Sequence, residues 1–307
     1  MLSTRQPTAF PGQYRSGLNP YVRGVFDALQ DPAVHKVTVM KGAQTGLTLV
    51  SHIWICYCAA QDPGPTLVVF PTENLARTVS ENRLQLLFTD SPNMVEYILP
   101  GRDNFKKLEY KLKGALVNLV GANSPAGLAT RPVRNLVLDE VDKYPQEQLR
   151  EASAASLAIQ RTKTFFNRKI LEISTPTLST GYINTQFEVS DKRYFELPCH
   201  KCGKPQRLVW SQVKWDDEAE PDVAAAGAYY ECMYCQAHWS DLDKVAALER
   251  GEWVASTHGV VKGHVGFHLS SLYAPWVKWG DLVGKFIKNK DNTTELQDFI
   301  NSELGEP

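Results

Sequence analysis

The first 180 residues alternate short apolar runs with stretches of helical periodicity. The apolar runs predict strands, at residues 36–40, 66–70, 135–138 and 170–173, with a weaker β segment at 115–120. The helical stretches lie at residues 21–29, 49–60, 73–88 and 146–160. Strands that alternate with helices in this way are typical of an α/β fold, in which a mostly parallel sheet is flanked by helices.

The remaining sequence has a different pattern. Short β-prone runs at 206–210 and 228–231 lie among polar residues, and another strand is expected at 263–269. A final helix is expected from Trp279 to about Leu304, after an aromatic turn at 273–276. Residues 194–240 therefore look like an insertion into the α/β unit.

The turn between the first strand and the next helix is glycine-containing, and it is made of Lys41, Gly42, Ala43, Gln44, Thr45, Gly46, Leu47 and Thr48. Loop amides and a helix N-terminus at such a turn can bind phosphates, and a hydroxyl such as that of Thr48 can bind Mg²⁺. The standard phosphate-loop pattern has Gly first and Lys seventh, whereas here Lys41 is first and Leu47 seventh. Taken alone, the stretch fits a nucleotide loop, with Lys41 reaching the phosphates from the other end, as well as an ordinary strand–helix turn.

Two adjacent acids end the third strand. Asp139 and Glu140 follow the apolar run Leu136 to Leu138, and ligand sites in parallel sheets lie at the carboxyl ends of the strands. Side chains alternate along a strand, so the two acids can take different roles. We predict that Asp139 binds Mg²⁺ and that Glu140 polarises the water that attacks the γ-phosphate.

Other candidate residues carry alternative interpretations. Arg131 and Arg134 precede the acid strand, and either can stabilise charge on a phosphate or be a surface arginine paired with an acid; Arg131 is preferred. Tyr14 lies in an N-terminal arm rich in Pro, Gly and Ser, where it can stack on a nucleotide base or pack on its own domain.

Composition places few limits on partners. The 307 residues are 43% hydrophobic and 22% charged, with a formal net charge of -1, so DNA binding would need a local basic patch. A basic cluster with interleaved Phe105 and Tyr110 fits either a DNA-contacting patch or a solvated face, and its cations are Arg102, Lys106, Lys107, Lys111 and Lys113. No secretory signal or apolar run of roughly 20 residues is present, which indicates a soluble, cytosolic protein.

Four of the six cysteines form two Cys-x-x-Cys knuckles, Cys199 with Cys202 and Cys232 with Cys235. Knuckles at this separation match a four-thiolate zinc ribbon with a somewhat long spacer. Such a site is closed and structural. His200 and His238 are near enough in sequence to be substitute ligands, but four thiolates suffice.

Taken together, these motifs resemble the large terminase subunit of tailed bacteriophages, specifically the lambda-type group. The matching segments follow the family's order and cover nearly the whole chain: residues 39–46, 138–140, 174–176, the two cysteine knuckles, 267–269, 273–276 and 304–307. A displaced loop lysine is a habit of this family, which favours the nucleotide-loop interpretation of Lys41.

The resemblance implies an ASCE-type phosphate-loop ATPase that packages double-stranded DNA into a prohead. By resemblance, Lys41 to Thr48 bind ATP, Asp139 is the Mg²⁺ ligand, Glu140 is the catalytic carboxylate, and residues 174–176 couple hydrolysis to movement. Arg131 as an arginine finger is a weaker inference. The implied partners are the portal protein, the small terminase subunit and further copies in a ring, in the cytoplasm of the bacterial host and with no membrane.

The expected organisation has three segments: an ATPase core with its arm at 1–193, a zinc-ribbon insertion at 194–256, and the end of the ATPase domain at 257–307. The family's C-terminal metal-dependent nuclease is expected to be absent, because the chain ends where it would begin. Two alternatives are a helicase-like DNA-dependent ATPase and a catalytically inactive DNA-binding scaffold, in which Leu47 marks a decayed nucleotide site.

Overall fold

The computed structural model describes residues 2–6, 8–124, 127–128, 131–145 and 153–307. The chain forms two compact units, and the first helix and the first strand are each divided between them. Unit 1 consists of Met1–Arg15, Ala28–Val37 and Thr48–Ser174, and unit 2 consists of Ser16–Asp27, Thr38–Leu47 and Thr175–Pro307.

The described residues of unit 1 form five strands in addition to the start of strand β1 (Lys36–Lys41): β2 (Pro65–Phe70), β3 (Glu109–Leu112), β4 (Ala115–Gly121), β5 (Asn135–Asp139) and β6 (Lys169–Ser174). The order within the unit is β6-β5-β2-β4-β3. All pairs are parallel except β3 with β4, which form a hairpin. Every residue of β5 and β6 is buried, as expected for central parallel strands.

The start of β1 lies beside β6 within unit 1. The Ile170 amide donates to the His35 carbonyl at 3.0 Å, and the Lys36 ammonium is 2.8 Å from the fully buried Glu172 carboxylate. A buried carboxylate needs such a partner, because leaving it unpaired would cost several kcal/mol, on the order of 3–5. In unit 1, β6 therefore separates the start of β1 from the acid-ending strand β5.

The helices of unit 1 follow the predicted order: the end of α1 (Val22–Gln30), α2 (Thr48–Ala60), α3 (Glu73–Val79), α4 (Gln85–Thr89), α5 (Pro92–Val95) and α6 (Ala154–Gln160). The predicted helix 73–88 is interrupted by a π-helical segment at Ser80–Leu84. Thr72 caps α3 by accepting from the Leu75 amide. The predicted helix 146–160 lies partly outside the described residues, and its described end is α6.

Unit 2 holds most of β1 and seven later strands: β7 (Arg193–Pro198), β8 (Pro205–Arg207), β9 (Val213–Lys214), β10 (Tyr229–Glu231), β11 (His238–Trp239), β12 (Glu252–Ala255) and β13 (His264–Leu269). The main order in this unit is β12-β7-β13-β1, with β8 paired to β7. A separate three-stranded sheet has the order β11-β10-β9.

Five later helices complete unit 2: α7 (Tyr182–Glu188), α8 (Pro221–Ala226), α9 (Asp241–Leu248), α10 (Trp279–Asn289) and α11 (Thr293–Phe299), followed by a π-helical segment at Ile300–Leu304. The single final helix predicted from Trp279 to Leu304 is thus wrong. Asn292 starts a new helix, because its side chain accepts from the amides of Thr294 and Glu295. Among the described residues, no helix has the length and apolar character needed to cross a bilayer.

Candidate functional site

The acid pair lies at the end of β5 in unit 1. Asp139 is 4% exposed. Glu140 follows with φ 52° and ψ 49°, in the left-handed region, and its amide donates to the Ile173 carbonyl at 2.8 Å. A non-glycine residue in this region stores roughly 1–3 kcal/mol of strain, which is typical of functional sites. The backbone thus leaves β5 in a left-handed conformation at Glu140, directly after Asp139.

A cleft of about 360 Å³ opens at this strand end. Its polar lining brings Thr48, the first residue of α2, together with Asp139, Glu140 and Lys143. The Lys143 ammonium is 2.9 Å from the Glu140 carboxylate. A hydroxyl and a carboxylate in one cleft are the oxygen ligands that Mg²⁺ prefers in proteins. Thr48 and the acid pair therefore line the same cleft.

Two neighbours hold the acid turn in place. The buried Tyr144 hydroxyl donates to the Val69 carbonyl at 2.8 Å. Burial, and then the nearby carboxylates beginning with Asp139, raise the pKa of Tyr144 well above its usual value, so it stays a neutral donor. The Ser174 hydroxyl accepts from the Asp142 amide at 3.2 Å, so the polar end of β6 touches the turn that carries Glu140.

The glycine loop (residues 42–47) lies in unit 2, where its shape is fixed by backbone contacts. The Gly42 amide donates to Leu269 at 2.8 Å and the Ala43 amide to Ser302 at 2.5 Å. A Cβ on Gly42 would lie 2.8 Å from the Glu303 carbonyl oxygen, so only glycine fits there. The C-terminal segment therefore packs directly on this loop.

The second half of the glycine loop is also held. Gln44 and Gly46 have φ values of 56° and 78°. The Trp276 indole donates to the Gln44 carbonyl at 2.8 Å, and the Tyr21 hydroxyl donates to the Thr45 carbonyl at 2.6 Å. These donors point the carbonyls of residues 44 and 45 toward protein, an arrangement that phosphate-binding loops require.

Lys41 is the last residue of β1 and is only 4% exposed. Its ammonium is 3.5 Å from the Thr175 hydroxyl, within unit 2. A lysine is rarely buried without polar partners. The lysine thus comes from the strand end, before the loop, whereas the standard motif takes it from the helix start.

Arg131 and Tyr14 are not among the residues that line the cleft of unit 1. The Arg131 side chain is 56% exposed, and its guanidinium is 3.8 Å from the Glu109 carboxylate. Arg134 pairs with Asp62 and also donates to the Pro63 carbonyl, which is a structural role. The assignments of Arg131 and Tyr14 stay predictions.

Arg83 also lines the cleft of unit 1, although no sequence motif points to it. Arg83 lies in the π-helical segment, far from any motif in sequence. Only the packing of that segment against the strand ends brings it to the acids. Lys143 follows the acid pair by three residues and could have been suspected from that spacing.

The basic cluster is largely neutralised by acids of unit 1. Lys106 pairs with Asp103 at 3.3 Å, and Lys107 pairs with Glu81. Phe105 is half-buried and stacks on the fully buried Tyr110, with ring centroids 4.6 Å apart, so both rings pack against the protein. These contacts favour the solvated-face interpretation.

The two cysteine knuckles meet in unit 2. The sulfurs of Cys199, Cys202, Cys232 and Cys235 all lie within 4.8 Å of one another. The Cys199–Cys235 and Cys202–Cys232 distances are 3.8 and 3.9 Å, far beyond the roughly 2.05 Å of a disulfide. A tetrahedron with about 2.3 Å metal–sulfur bonds has sulfurs about 3.8 Å apart, so the four thiols fit a closed tetrahedral metal site.

The knuckle backbones are shaped for ligation. Gly203 and Gln236 have positive φ values of 72° and 59°, and the Lys201 amide donates to the Cys199 sulfur at 3.4 Å. Neither candidate histidine belongs to the cluster: His238 stacks on Tyr229, and His200 lies 3.9 Å from Asp243.

Two family models match consecutive parts of the chain. Residues 8–253 match the family model described as phage terminase large subunit gpA, ATPase domain. Residues 264–307 match the model of the terminase large subunit gpA endonuclease domain. The expected absence of nuclease sequence is therefore not confirmed. In the structure, however, this second segment begins with β13, a strand of the unit 2 sheet paired with β7.

Two curated relatives are the terminase large subunits of Enterobacteria phage P21 and Escherichia phage lambda. Each is 21% identical; the alignments cover 96% and 94% of this chain and 49% and 48% of the relatives. The chain thus spans about half the length of these relatives.

Among solved structures, the large terminase ATPase domain of Thermus phage P74-26 aligns with a TM-score of 0.51 and 14% identity. The alignment covers 96% of this chain and 94% of that one. At this identity the likeness shows the fold alone. Since the ATPase-domain model covers most of the sequence, this chain belongs to the phage terminase large subunit gpA family and carries its ATPase domain.

Proposed function

We propose that this chain is the ATP-hydrolysing motor domain of a DNA-packaging terminase, which drives double-stranded DNA into the prohead through the portal. The observation that carries the proposal is the unit 1 cleft, which gathers Thr48, Asp139 and Glu140 from distant parts of the sequence. A hydroxyl at a helix start and two strand-end acids are the groups that nucleotide hydrolysis needs.

ATP binding falls to the glycine loop and Lys41. The amides of Gly42 and Ala43 already donate to protein carbonyls, so the phosphate contacts fall to the amides of Gln44 to Leu47. Leu47 is buried, and its side chain is therefore no obstacle to this role, since only its amide is used. Lys41 adds a positive charge for the phosphates.

The oxygen ligands of Thr48 and Asp139 fit Mg²⁺, which they would hold against the phosphates. When bound, the ion neutralises phosphate charge. The position of both residues in one cleft supports this assignment.

Glu140 acts on the attacking water. Its carboxylate accepts a hydrogen bond and then a proton from the water as the water oxygen bonds to the γ-phosphorus. The bond from that phosphorus to the bridging oxygen breaks, and ADP leaves with the electron pair. Lys143 holds the carboxylate by their 2.9 Å ion pair until substrate arrives.

Strand order supports the ASCE class, whose name refers to an additional strand and a catalytic glutamate. In unit 1, β6 lies between the start of β1 and β5, as the additional strand would. The glutamate is Glu140. Ser174, at the end of this strand, touches the Asp142 amide, which supports a coupling role for the turn at 174–176.

The four thiols are proposed to hold a structural zinc ion. A metal with thiolate ligands in closed tetrahedral geometry is most often zinc. The thiols lie beside the small sheet β9–β11, whose two- and three-residue strands offer little core, so metal binding would supply stability there. The predicted division at 194–256 stays a prediction.

The proposed partners and cellular location are inferred from membership of the terminase family. Double-stranded DNA, the portal protein, the small terminase subunit and a homo-oligomeric ring are the proposed partners, in the host cytoplasm. Hydrolysis would be slow in a lone subunit if a neighbour supplies Arg131, since a supplied arginine is worth roughly 10³–10⁵ in rate in GTPases.

Phosphate release from ATP, with double-stranded DNA present, tests the proposal. We expect Glu140→Gln to lose turnover by at least about 100-fold, because the water loses its base. Asp142→Asn is the matched control, since this acid lies on the same turn and does not line the cleft. Equal rates for wild type and Glu140→Gln would overturn the proposal.

A further inference from the structure

Arg83 enters the cleft from the helix that follows β2. The helix begins at Glu73, after the cap residue Thr72, and passes at Ser80 from α3 into the π-helical segment, which carries Arg83. Such segments shift the side-chain register of a helix and often occur at functional sites. Here the register is fixed by a 2.6 Å hydrogen bond between the Ser80 and Tyr110 hydroxyls, both fully buried.

Arg83 differs from the neighbouring arginines in its ion pairing. In the part of the chain that the structure describes, no carboxylate pairs with its guanidinium. Arg77, on the same helix, donates to Glu73 at 2.6 and 3.1 Å. Arg5 and Arg134 also pair with acids. Arg83 therefore offers its five donors to the cleft or to solvent.

The positive charge of Arg83 also influences a buried residue of α2. His52 lies one helical turn after Thr48, on the same side of α2. Burial, and then the positive charge of Arg83, lower the pKa of His52 to about 3. The other cation of the cleft, Lys143, is already paired with Glu140.

We infer that Arg83 is a further catalytic residue, whose guanidinium contacts the γ-phosphoryl group and stabilises the charge that develops on it during hydrolysis. The inference rests on the proposed function. Its basis is placement: Arg83 lines the same cleft as Asp139 and Glu140, and a planar guanidinium matches phosphoryl oxygens bidentately. Arg83 acts within its own subunit, whereas Arg131 does not line this cleft.

The test compares ATP turnover with nucleotide binding. We expect Arg83→Gln to lower kcat by at least about tenfold, and by up to roughly 10³-fold or more, as arginines that face the phosphoryl group do. The Kd for Mg·ADP should change little, while the tighter binding of Mg·ADP with aluminium fluoride, which mimics the transferring phosphoryl group, should be lost. Arg83→Lys should keep part of the rate.

Two controls separate catalysis from folding. Arg77→Gln removes a paired arginine from the same helix and should leave kcat and binding unchanged. For Arg83→Ala, added guanidinium ions should restore part of kcat, which a purely structural role would not allow.

Three outcomes would overturn the inference. The first is a kcat of Arg83→Gln within about threefold of the wild-type kcat, while Glu140→Gln loses turnover. Removal of a residue that acts at the transition state lowers kcat by far more than threefold. The second is parallel loss of Mg·ADP affinity and thermal stability without rescue by guanidinium. The third is a wild type that releases no more phosphate than Glu140→Gln, in which case the proposed function fails as well.

Discussion

At the residue scale, Glu140 combines a carboxylate that lines the cleft with a strained backbone conformation. Its left-handed conformation lies outside the range that side chains with a Cβ prefer. The following turn and the bond from its amide to Ile173 hold it there. The carboxylate therefore reaches the cleft because the chain leaves β5 in a conformation that favours glycine.

This strain predicts that glycine at position 140 is more stabilising than alanine, the reverse of the usual order. Glu140→Gly should be more stable than Glu140→Ala by roughly 0.5–1 kcal/mol, because both remove the carboxylate and only glycine relieves the positive φ. Chemical denaturation of the two variants measures the difference.

Asp142 provides the control for that measurement. It lies in the 3₁₀ segment Val141–Lys143 and has no positive φ, so Asp142→Ala should be at least as stable as Asp142→Gly. A Glu140 pair that follows the same order as the Asp142 pair would contradict the assigned conformation.

The sequence predicts the position of a residue when the signal comes from its immediate neighbours in the chain. Asp139 and Glu140 follow an apolar run, and that pattern places them at a strand end. Arg83 has no such signal, because its place in the cleft depends on how the helix after β2 packs. The pairing of Lys143 with Glu140, in contrast, is suggested by their spacing of three residues.

At the element scale, the glycine loop explains why a strict motif comparison fails. Lys41 ends β1 as a buried residue, so the cation precedes the loop. The loop itself is held by Trp276, Tyr21 and the C-terminal segment. These supports come from distant parts of the sequence, and periodicity alone could not reveal them.

The cysteine knuckles give an element-scale prediction. Cys199→Ser and Cys232→Ser should each lose bound zinc and lower the unfolding temperature, because a closed site needs all four thiolates. Metal analysis of the purified protein measures the zinc, and thermal unfolding measures the stability.

Cys56→Ser is the matched control, since Cys56 lies in α2, outside the cluster. This variant should keep its zinc. Undiminished zinc in the Cys199→Ser and Cys232→Ser variants would contradict the four-thiolate site.

The helix boundaries illustrate a limit of periodic patterns. Apolar spacing from Trp279 to Leu304 fits one long helix, yet the structure ends α10 at Asn289 and starts α11 at Thr293. Asn292 is a strong helix cap, and its side chain bonds decide the break. Short strands such as β7 and β12 were missed because their pairing partners are distant in sequence.

At the scale of the whole molecule, family boundaries and structural boundaries differ. The endonuclease model begins at residue 264, whereas β13 at His264–Leu269 belongs to the unit 2 sheet and its Leu269 carbonyl accepts from Gly42. The segment that matches the nuclease family therefore completes the unit that carries the glycine loop. The order of the motifs in the sequence indicates the family. The place of β13 in the unit 2 sheet follows only from the strand pairing.

The central claim is that Thr48 and Asp139 act together on Mg·ATP in one cleft. The most direct test is a double-mutant cycle of Mg²⁺-dependent ATP affinity with Thr48→Val, Asp139→Asn and the double variant. We expect each single change to weaken Mg·ATP binding. The double variant should have nearly the same affinity as the single variant that binds less tightly, which corresponds to a coupling free energy of about 0.5–3 kcal/mol. Fully additive losses, or unchanged binding in both single variants, would contradict the account.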